Sequence, residues 1–228
     1  MQDPTLIINF KNYAEVRGKK ALELARKVDR LARELGLSEN VIVAPPTPLL
    51  ALVSLNVDSI RVIAQHVDDV DEGSTTGYIT VEMLRSINII GSLVNHSEHR
   101  LEYSSIVGIV KRLRSASMVS VVCASVVDEV RALSQLEPEY IAIEPPELIG
   151  TGNAVSRSRP DVIIRSRETL ASNKYTRLLC GAGIVDATDI REALRLGSEG
   201  VLVASSIVRA KDWDTKLHEM MNALQSNE

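Results

Sequence analysis

Eight short apolar runs, rich in β-branched residues, restrict the fold of this chain more than any other feature. Each run is nearly continuous rather than alternating between apolar and polar residues. Strands buried on both faces have this pattern, whereas strands with one solvated face alternate. The runs are LIIN (6–9), VIVA (41–44), IRVIA (60–64), IIGSLV (89–94), VSVVC (119–123), YIAIE (140–144), RLLC (177–180) and GVLVA (200–204). They predict eight strands of a parallel sheet.

Helical spacing fills several of the intervals between these runs. The segments with apolar residues three or four positions apart are 21–35, 106–113, 126–133, 189–194 and a last one within 206–224. Parallel strands need crossover connections, which helices usually supply. A strand–helix unit repeated eight times in 228 residues fits a closed (β/α)8 barrel, which we expect to form one domain over residues 1–228. A doubly wound open sheet is the alternative, but it usually has fewer strands and a glycine fingerprint after the first one, where this chain reads LIINFKNY.

Charge and hydrophobicity exclude several classes of partner. The formal net charge of −4 makes nucleic acid an unexpected partner. No run approaches the roughly eighteen uninterrupted apolar residues of a membrane span. The N-terminus MQDPTLIINFK lacks the basic start and long apolar region of a signal peptide. We therefore expect a cytoplasmic protein that binds neither nucleic acid nor membranes.

The cysteines and most histidines do not predict a metal or redox site. Cys123 and Cys180 each end an apolar run without CxxC spacing, so we expect two small buried side chains. The acidic stretch 67–73 lacks the spacing of a calcium-binding loop. His66, His99 and His218 lack the paired spacing of zinc ligands. We expect neither a metal ion nor another cofactor.

In a barrel of this class, the loops after the carboxyl ends of the strands build the site. That rule selects Lys11 after the first run, His96 after the fourth and Glu144 at the end of the sixth. Taken alone, the position of Lys11 is also consistent with an ordinary solvent-exposed lysine without a function in the site. His96 also fits a histidine at the start of a helix, where the helix dipole would favour a neutral imidazole. A buried carboxylate such as Glu144 needs a partner or a raised pKa, and a raised pKa suits a general base.

Small residues follow the seventh and eighth runs, in the stretches CGAG and ASS. The backbone N–H groups of Gly183, Ala204 and Ser205, with the start of the following helix, could cradle a phosphate. Simple tight turns are the alternative explanation for the same residues.

Four motifs together resemble the triosephosphate isomerase family, in the shorter form typical of archaea, over essentially the whole chain. They are NFK (9–11), NHSEHR (95–100), IEPPELIGTG (143–152) and CGAGI (180–184). The resemblance implies interconversion of glyceraldehyde 3-phosphate and dihydroxyacetone phosphate through an enediolate, in glycolysis and gluconeogenesis. It also implies the TIM barrel fold and no metal or cofactor.

The resemblance assigns a role to each polar residue at the strand ends. Glu144 would be the base that removes a proton from the carbon beside the carbonyl. His96 would be a neutral electrophile that polarises the carbonyl oxygen. Lys11 would stabilise negative charge on the substrate, and Asn9 would help to hold it. Glu98 would orient Lys11.

The resemblance also makes residues 144–152 both base and lid. Ile149 and Gly150 would then reach the substrate phosphate, and Gly150 would offer a backbone N–H. Longer members of the family carry a tryptophan at the position of Glu147 and a serine at that of Gly183. They also carry paired glycines where this chain has Ala204 and Ser205, and a glycine at the position of Asn95.

The family resemblance further implies a homodimer or a homotetramer. Thr76, in the stretch GSTTG (73–77), would contact the neighbouring subunit. Two other functions compete with the isomerase: a different sugar-phosphate isomerase or epimerase, and a barrel that only binds a phosphorylated metabolite. Metal-dependent epimerases need extra histidine and aspartate ligands at the strand ends. A barrel that only binds its ligand needs no base.

Overall fold

The eight predicted strands form one closed parallel barrel. The computed structural model describes residues 4–148 and 154–225. Its strands are β1 (Thr5–Asn9), β2 (Val41–Ala44), β3 (Arg61–Val62), β4 (Gly91–Val94), β5 (Val119–Ala124), β6 (Tyr140–Ile143), β7 (Arg177–Cys180) and β8 (Gly200–Val203). They are hydrogen-bonded in the order β3-β2-β1-β8-β7-β6-β5-β4. A parallel bridge between Ala64 and Ser92 closes the ring between β3 and β4. The (β/α)8 TIM barrel is therefore confirmed, and the open-sheet alternative is wrong.

Helices surround the barrel. In the described residues they are α1 (Lys19–Glu34), α2 (Leu50–Ser54), α3 (Val81–Ser86), α4 (Tyr103–Ser115), α5 (Val127–Ser134), α6 (Val155–Ser158), α7 (Pro160–Thr169), α8 (Ala187–Arg195), α9 (Ser205–Val208) and α10 (Trp213–Gln225). Short 3-10 turns occupy Ala14–Val16, Ser38–Asn40, Thr47–Leu49 and Pro146–Leu148. The segment expected to hold the last helix, 206–224, divides into α9 and α10. Helices α2, α3 and α6 span only four to six residues each, too few to establish a clear period, and the ten-residue α7 also lies in an interval for which no helix was predicted.

Both faces of the strands are apolar because each face packs against its own core. Ile7, in the middle of β1, belongs to the cluster that fills the barrel interior. Its neighbours Leu6 and Ile8 point outward into the larger cluster between the strands and the helices. Burying such a side chain fully contributes about 1.5–3 kcal/mol. A continuous apolar run is thus stabilising on both faces, which explains the absence of alternation.

The parallel arrangement brings the polar residues after the strands to one rim of the barrel. Asn9 ends β1, Asn95 directly follows β4, and Glu144 directly follows β6. Gly181 and Ala204 take the corresponding places after β7 and β8. None of the helices in the described parts of the chain combines the length and apolar character that a membrane crossing requires.

Candidate active site

Glu144 is a buried carboxyl group at the end of β6. Its residue is 3% exposed, and its backbone N–H donates to the Ala124 carbonyl over 2.7 Å. Burial raises the pKa of the Glu144 carboxyl, and this effect outweighs the opposing influence of His96, the Cys123 thiol hydrogen bond and Lys11. Its Oε2 atom has no hydrogen-bond partner among the described residues. Glu144 can therefore hold or release a proton closer to neutral pH than an exposed glutamate.

His96 faces Glu144 with a defined tautomer. Its Nδ1 accepts a hydrogen bond from the backbone N–H of Glu98 over 3.1 Å. Because a backbone N–H can only donate, Nδ1 carries the lone pair, and the imidazole is neutral with its proton on Nε2. That Nε2 lies 3.6 Å from Oε1 of Glu144. The pair thus presents one N–H donor and one carboxylate side by side.

The helix expected directly after His96 is absent. Residues 97–99 form a single turn, in which the His99 N–H donates to the His96 carbonyl over 2.8 Å, and α4 begins only at Tyr103. The prediction that a helix dipole keeps His96 neutral was therefore wrong. The backbone N–H of Glu98 fixes the neutral tautomer instead.

Asn95 holds the turn that carries His96. Its φ is +62°, a left-handed conformation in which asparagine and glycine are tolerated. Its side-chain Nδ2 donates to the Cys123 carbonyl over 3.0 Å, and its Oδ1 accepts from the Leu101 N–H over 3.0 Å. Asparagine therefore fits this position both by its conformation and by its two hydrogen bonds.

Lys11 is held in a strained conformation at the mouth of the barrel. Its φ is +47°, which is uncommon for a residue with a side chain and marks a position fixed by its surroundings. Its N–H donates to Oδ1 of Asn9 over 3.0 Å, and its Nζ lies 2.7 Å from Oε1 of Glu98. The lysine side chain is 14% exposed and that of Glu98 56%. Glu98 therefore holds the ammonium, and Asn9 holds the backbone that carries it.

Gln65 is a supporting residue that the sequence reasoning missed. Its Nε2 donates to the Lys11 carbonyl over 3.3 Å and to the Ala44 carbonyl over 2.9 Å. It therefore fixes the backbone that aims the lysine. The available signal was its position, directly after the third apolar run.

A cleft at the rim brings these residues together with the small-residue turns. Its lining includes Asn9, Lys11, His96, Glu144, Gly183, Ala204 and Ser205, together with Tyr13 and Gly181, which the sequence had not selected. The cleft has about 550 Å³ of empty space, counting its open mouth. The cleft thus joins the predicted catalytic side chains and the predicted phosphate-binding turns in one concave site.

The turns after β7 and β8 have backbones suited to close approach. Gly183 has a φ of +73°, and Ser205 is the first residue of α9, with Ala204 at its N-cap. Gly181 makes room for the base, since a Cβ there would lie 2.5 Å from Cγ of Glu144. Ile149 and Gly150, also expected to contact the phosphate, lie outside the described residues.

The other predicted features do not line this cleft. Glu147 is 57% exposed in its side chain, and its Oε1 lies 3.2 Å from Nη1 of Arg159. Thr76 is exposed on the loop after β3. Cys123 and Cys180 are free and buried, and burial raises the pKa of the Cys180 thiol to about 12. Nowhere in residues 4–148 and 154–225 do three His, Cys, Asp or Glu side chains lie where they could share a metal ion.

Comparison with known proteins identifies the family. Residues 4–224 match the family model described as triosephosphate isomerase. The triosephosphate isomerase of Cenarchaeum symbiosum is 44% identical over 223 residues, which cover 98% of this chain and 99% of that protein. That of Methanothermus fervidus is 42% identical over 98% of this chain and 100% of its own length. That of Archaeoglobus fulgidus is 44% identical over 96% and 97%. This chain belongs to the triosephosphate isomerase family.

Proposed function

We propose that this protein interconverts D-glyceraldehyde 3-phosphate and dihydroxyacetone phosphate through an enediolate, as an aldose–ketose isomerase of glycolysis and gluconeogenesis. The observation that carries the proposal is the pair formed by Glu144 and His96. The buried Glu144 carboxyl, whose pKa is raised, has its Oε1 3.6 Å from Nε2 of the His96 imidazole, and both residues line the cleft. Proton abstraction beside a carbonyl needs a base and an electrophile placed in this way.

The proton transfers can be assigned to specific atoms. A carboxylate oxygen of Glu144 takes the proton from the carbon beside the carbonyl, and the electrons move onto the carbonyl oxygen. The Nε2–H of His96 donates to that oxygen as its negative charge develops. The imidazole of His96 passes a proton to the former carbonyl oxygen and takes one from the neighbouring hydroxyl, and Glu144 returns its proton to the neighbouring carbon, which completes the isomerisation. No electron leaves the substrate, so the reaction needs no oxidant or reductant.

Lys11 and its neighbours supply the positive side of the site. The ammonium of Lys11 would stabilise negative charge on the substrate and the enediolate. Glu98 holds Nζ at 2.7 Å, and Asn9 holds the Lys11 backbone while its own side chain lines the cleft. We therefore propose Asn9 as a substrate-binding residue and Glu98 as the residue that orients the lysine.

The phosphate is proposed to bind at the small-residue turns. Gly183, Ala204 and Ser205 line the cleft, and their backbone N–H groups belong to residues with small side chains. Ile149 and Gly150 remain proposed phosphate contacts. Enclosure by the residues around the phosphate would keep water from the enediolate, which could otherwise eliminate phosphate.

The oligomeric state and the cellular location of the protein are also proposals. We propose a homodimer or homotetramer in the cytoplasm, built from single-domain chains that bind neither nucleic acid nor membrane. Support comes from the exposed position of Thr76 on the loop after β3 and from the family to which the chain belongs.

A coupled assay with glyceraldehyde 3-phosphate tests the proposal. The purified protein should turn over the substrate without added metal, and phosphoglycolate, which resembles the enediolate, should inhibit competitively. Glu144→Gln should lower kcat by about 10²–10⁴, the usual contribution of general-base catalysis. Glu168→Gln, the same change at an exposed residue of α7, serves as the control and should retain activity. Absence of turnover by the wild type, or near-normal turnover by Glu144→Gln, would contradict the proposed function or the role of Glu144, respectively.

A further inference from the structure

Residues 154–157 make three contacts with the loop between β7 and α8 and with the first turn of α8. The Val155 N–H donates to the Ala182 carbonyl over 3.2 Å. The Ser156 hydroxyl donates to the Asp189 carbonyl over 3.3 Å. Nε of Arg157 lies 2.7 Å from Oδ1 of Asp189, at ion-pair distance but without the alignment of a hydrogen bond. Two of these three contacts meet at Asp189.

Asp189 is a fully buried carboxylate that holds the backbone of this loop. Its relative exposure is 0%. Its Oδ2 accepts from the Val185 N–H over 2.9 Å and from the Asp186 N–H over 3.4 Å. Its own N–H donates to Oδ1 of Asp186, which completes a capping box at the start of α8. Asp189 therefore fixes the loop that bears Gly183 two residues further on, at Val185, whose carbonyl also accepts from Nζ of Lys216 over 3.3 Å.

That side chain does not belong to the site itself. Gly183, Ile184 and Val185 line the cleft, whereas Asp189 does not. An effect of Asp189 on the substrate would therefore pass through the Val185 backbone. The same backbone is the continuation of the turn whose Gly183 N–H is proposed to bind phosphate.

Arg157 supplies the charge that makes the buried carboxylate tolerable. Within the described residues it is the one cationic side chain at ion-pair distance from Asp189. Removing one partner of a pair that includes a buried ion is costly, because the remaining charge stays desolvated. The arginine side chain is 52% exposed, so its own loss of hydration is small. Loss of Arg157 would leave Asp189 to shift toward water or toward other donors, and the Val185 N–H would shift with it.

We propose that Arg157 and Asp189 form a positioning pair that sets the phosphate-binding backbone after β7. The pair acts through the loop and not on the reacting carbon. The inference rests on the proposed function, since it assigns the pair to the phosphate of that substrate. A pair that merely caps α8 would stabilise the fold without distinguishing phosphorylated from unphosphorylated ligands.

The test compares two substrates in Arg157→Met. Glyceraldehyde 3-phosphate carries the phosphate, and glyceraldehyde lacks it. We expect kcat/KM for the phosphorylated substrate to fall about 10- to 100-fold, the range that displacements of up to 1 Å can produce. Most of the loss should appear in KM, and kcat/KM for glyceraldehyde should stay within about twofold, because the base and the electrophile keep their places.

Three further variants sharpen the comparison. Arg157→Lys keeps a positive charge and should recover most of the affinity. Asp189→Asn keeps an acceptor for Val185 but removes the buried charge, so its effect should be smaller than that of Arg157→Met. Arg195→Met is the matched control, because Arg195 also lies beside a carboxylate on α8, but its partner Glu192 does not contact the loop. This control should leave both substrates unaffected.

The binding of inorganic phosphate, measured by calorimetry, separates this inference from the proposed function. If the wild type converts neither substrate, the proposed function fails, while the loss of phosphate affinity in Arg157→Met still tests the pair. Equal losses of kcat/KM on both substrates would show that the pair has only a structural role. Unchanged phosphate affinity and unchanged KM in Arg157→Met would also overturn the proposal.

Discussion

Replacing Gly181 with alanine should displace the Glu144 carboxylate while leaving the phosphate-binding turns in place. A Cβ built at Gly181 would lie 2.5 Å from Cγ of Glu144 and 3.1 Å from its Oε1. Cγ is in the middle of the glutamate side chain, which is buried and cannot swing away into solvent. The contact can be relieved only if the side chain that bears the base moves.

The size of the required movement follows from the contact distance. Ordinary van der Waals contact begins near 3.4 Å, so Cγ must retreat by about 0.9 Å. Misplacing a reacting group by about 1 Å can lower the rate by about 10²-fold. We therefore expect kcat of Gly181→Ala to fall by about two orders of magnitude. KM should change little, because Gly183 and Ser205 keep their backbones.

A double-mutant cycle with Glu144→Gln identifies the cause of the loss. Glutamine occupies nearly the same space as glutamate, so the clash remains, but there is no base left to displace. Gly181→Ala should then lower the residual kcat by less than about threefold, since residues acting through one group are not additive. Urea unfolding of all four proteins would show that each is folded in the assay. A full 10²-fold loss in the Glu144→Gln background would refute the reasoning and point to damage at the phosphate site.

Two further predictions concern Glu144 and Asn95. Because burial raises the pKa of Glu144, the folded chain binds this proton more tightly than the unfolded chain, and the free energy of unfolding falls as the pH rises through the raised pKa. Glu144→Gln should therefore be more stable than the wild type at neutral pH, and this difference should vanish below the ordinary glutamate pKa of 4.5. Wild-type kcat/KM should fall as the pH is lowered and Glu144 becomes protonated. A difference in the free energy of unfolding that is independent of pH would contradict this prediction. Asn95→Gly keeps the left-handed φ but loses two hydrogen bonds, whereas Asn95→Ala loses the same bonds and also adds strain of about 1–2 kcal/mol. Alanine should therefore lower the free energy of unfolding in urea more than glycine does. Equal losses of stability in the two variants would show that position 95 does not keep its left-handed conformation.

The sequence located the principal residues of the cleft because strand ends are visible in it. Glu144 closes an apolar run, and Lys11 and His96 each follow one within two residues. Parallel strands bring such positions to one rim, so three separate weak signals converge once the barrel is recognised. The contacts between these side chains depend on distances across the barrel, which the order of residues does not contain.

Local conformation was harder to predict. The segment after His96 has residues that suit a helix start, but it forms only one turn before α4 begins at Tyr103. Tertiary contacts decide this, since Asn95 bonds to both Cys123 and Leu101 and so fixes the path of the chain on either side of the turn. Propensity alone gives no account of such contacts.

Strand register explains how the supporting residues reach the site. Ile143 pairs with Cys180, so the next residues, Glu144 and Gly181, lie side by side. A glycine is required there because the glutamate side chain passes over it. Shifting the register by one residue would move every side chain of a strand to the opposite face. Apolar runs with two buried faces do not reveal their register through alternation. The sequence therefore predicted Glu144 as a site residue but did not predict that Gly181 would lie beside it.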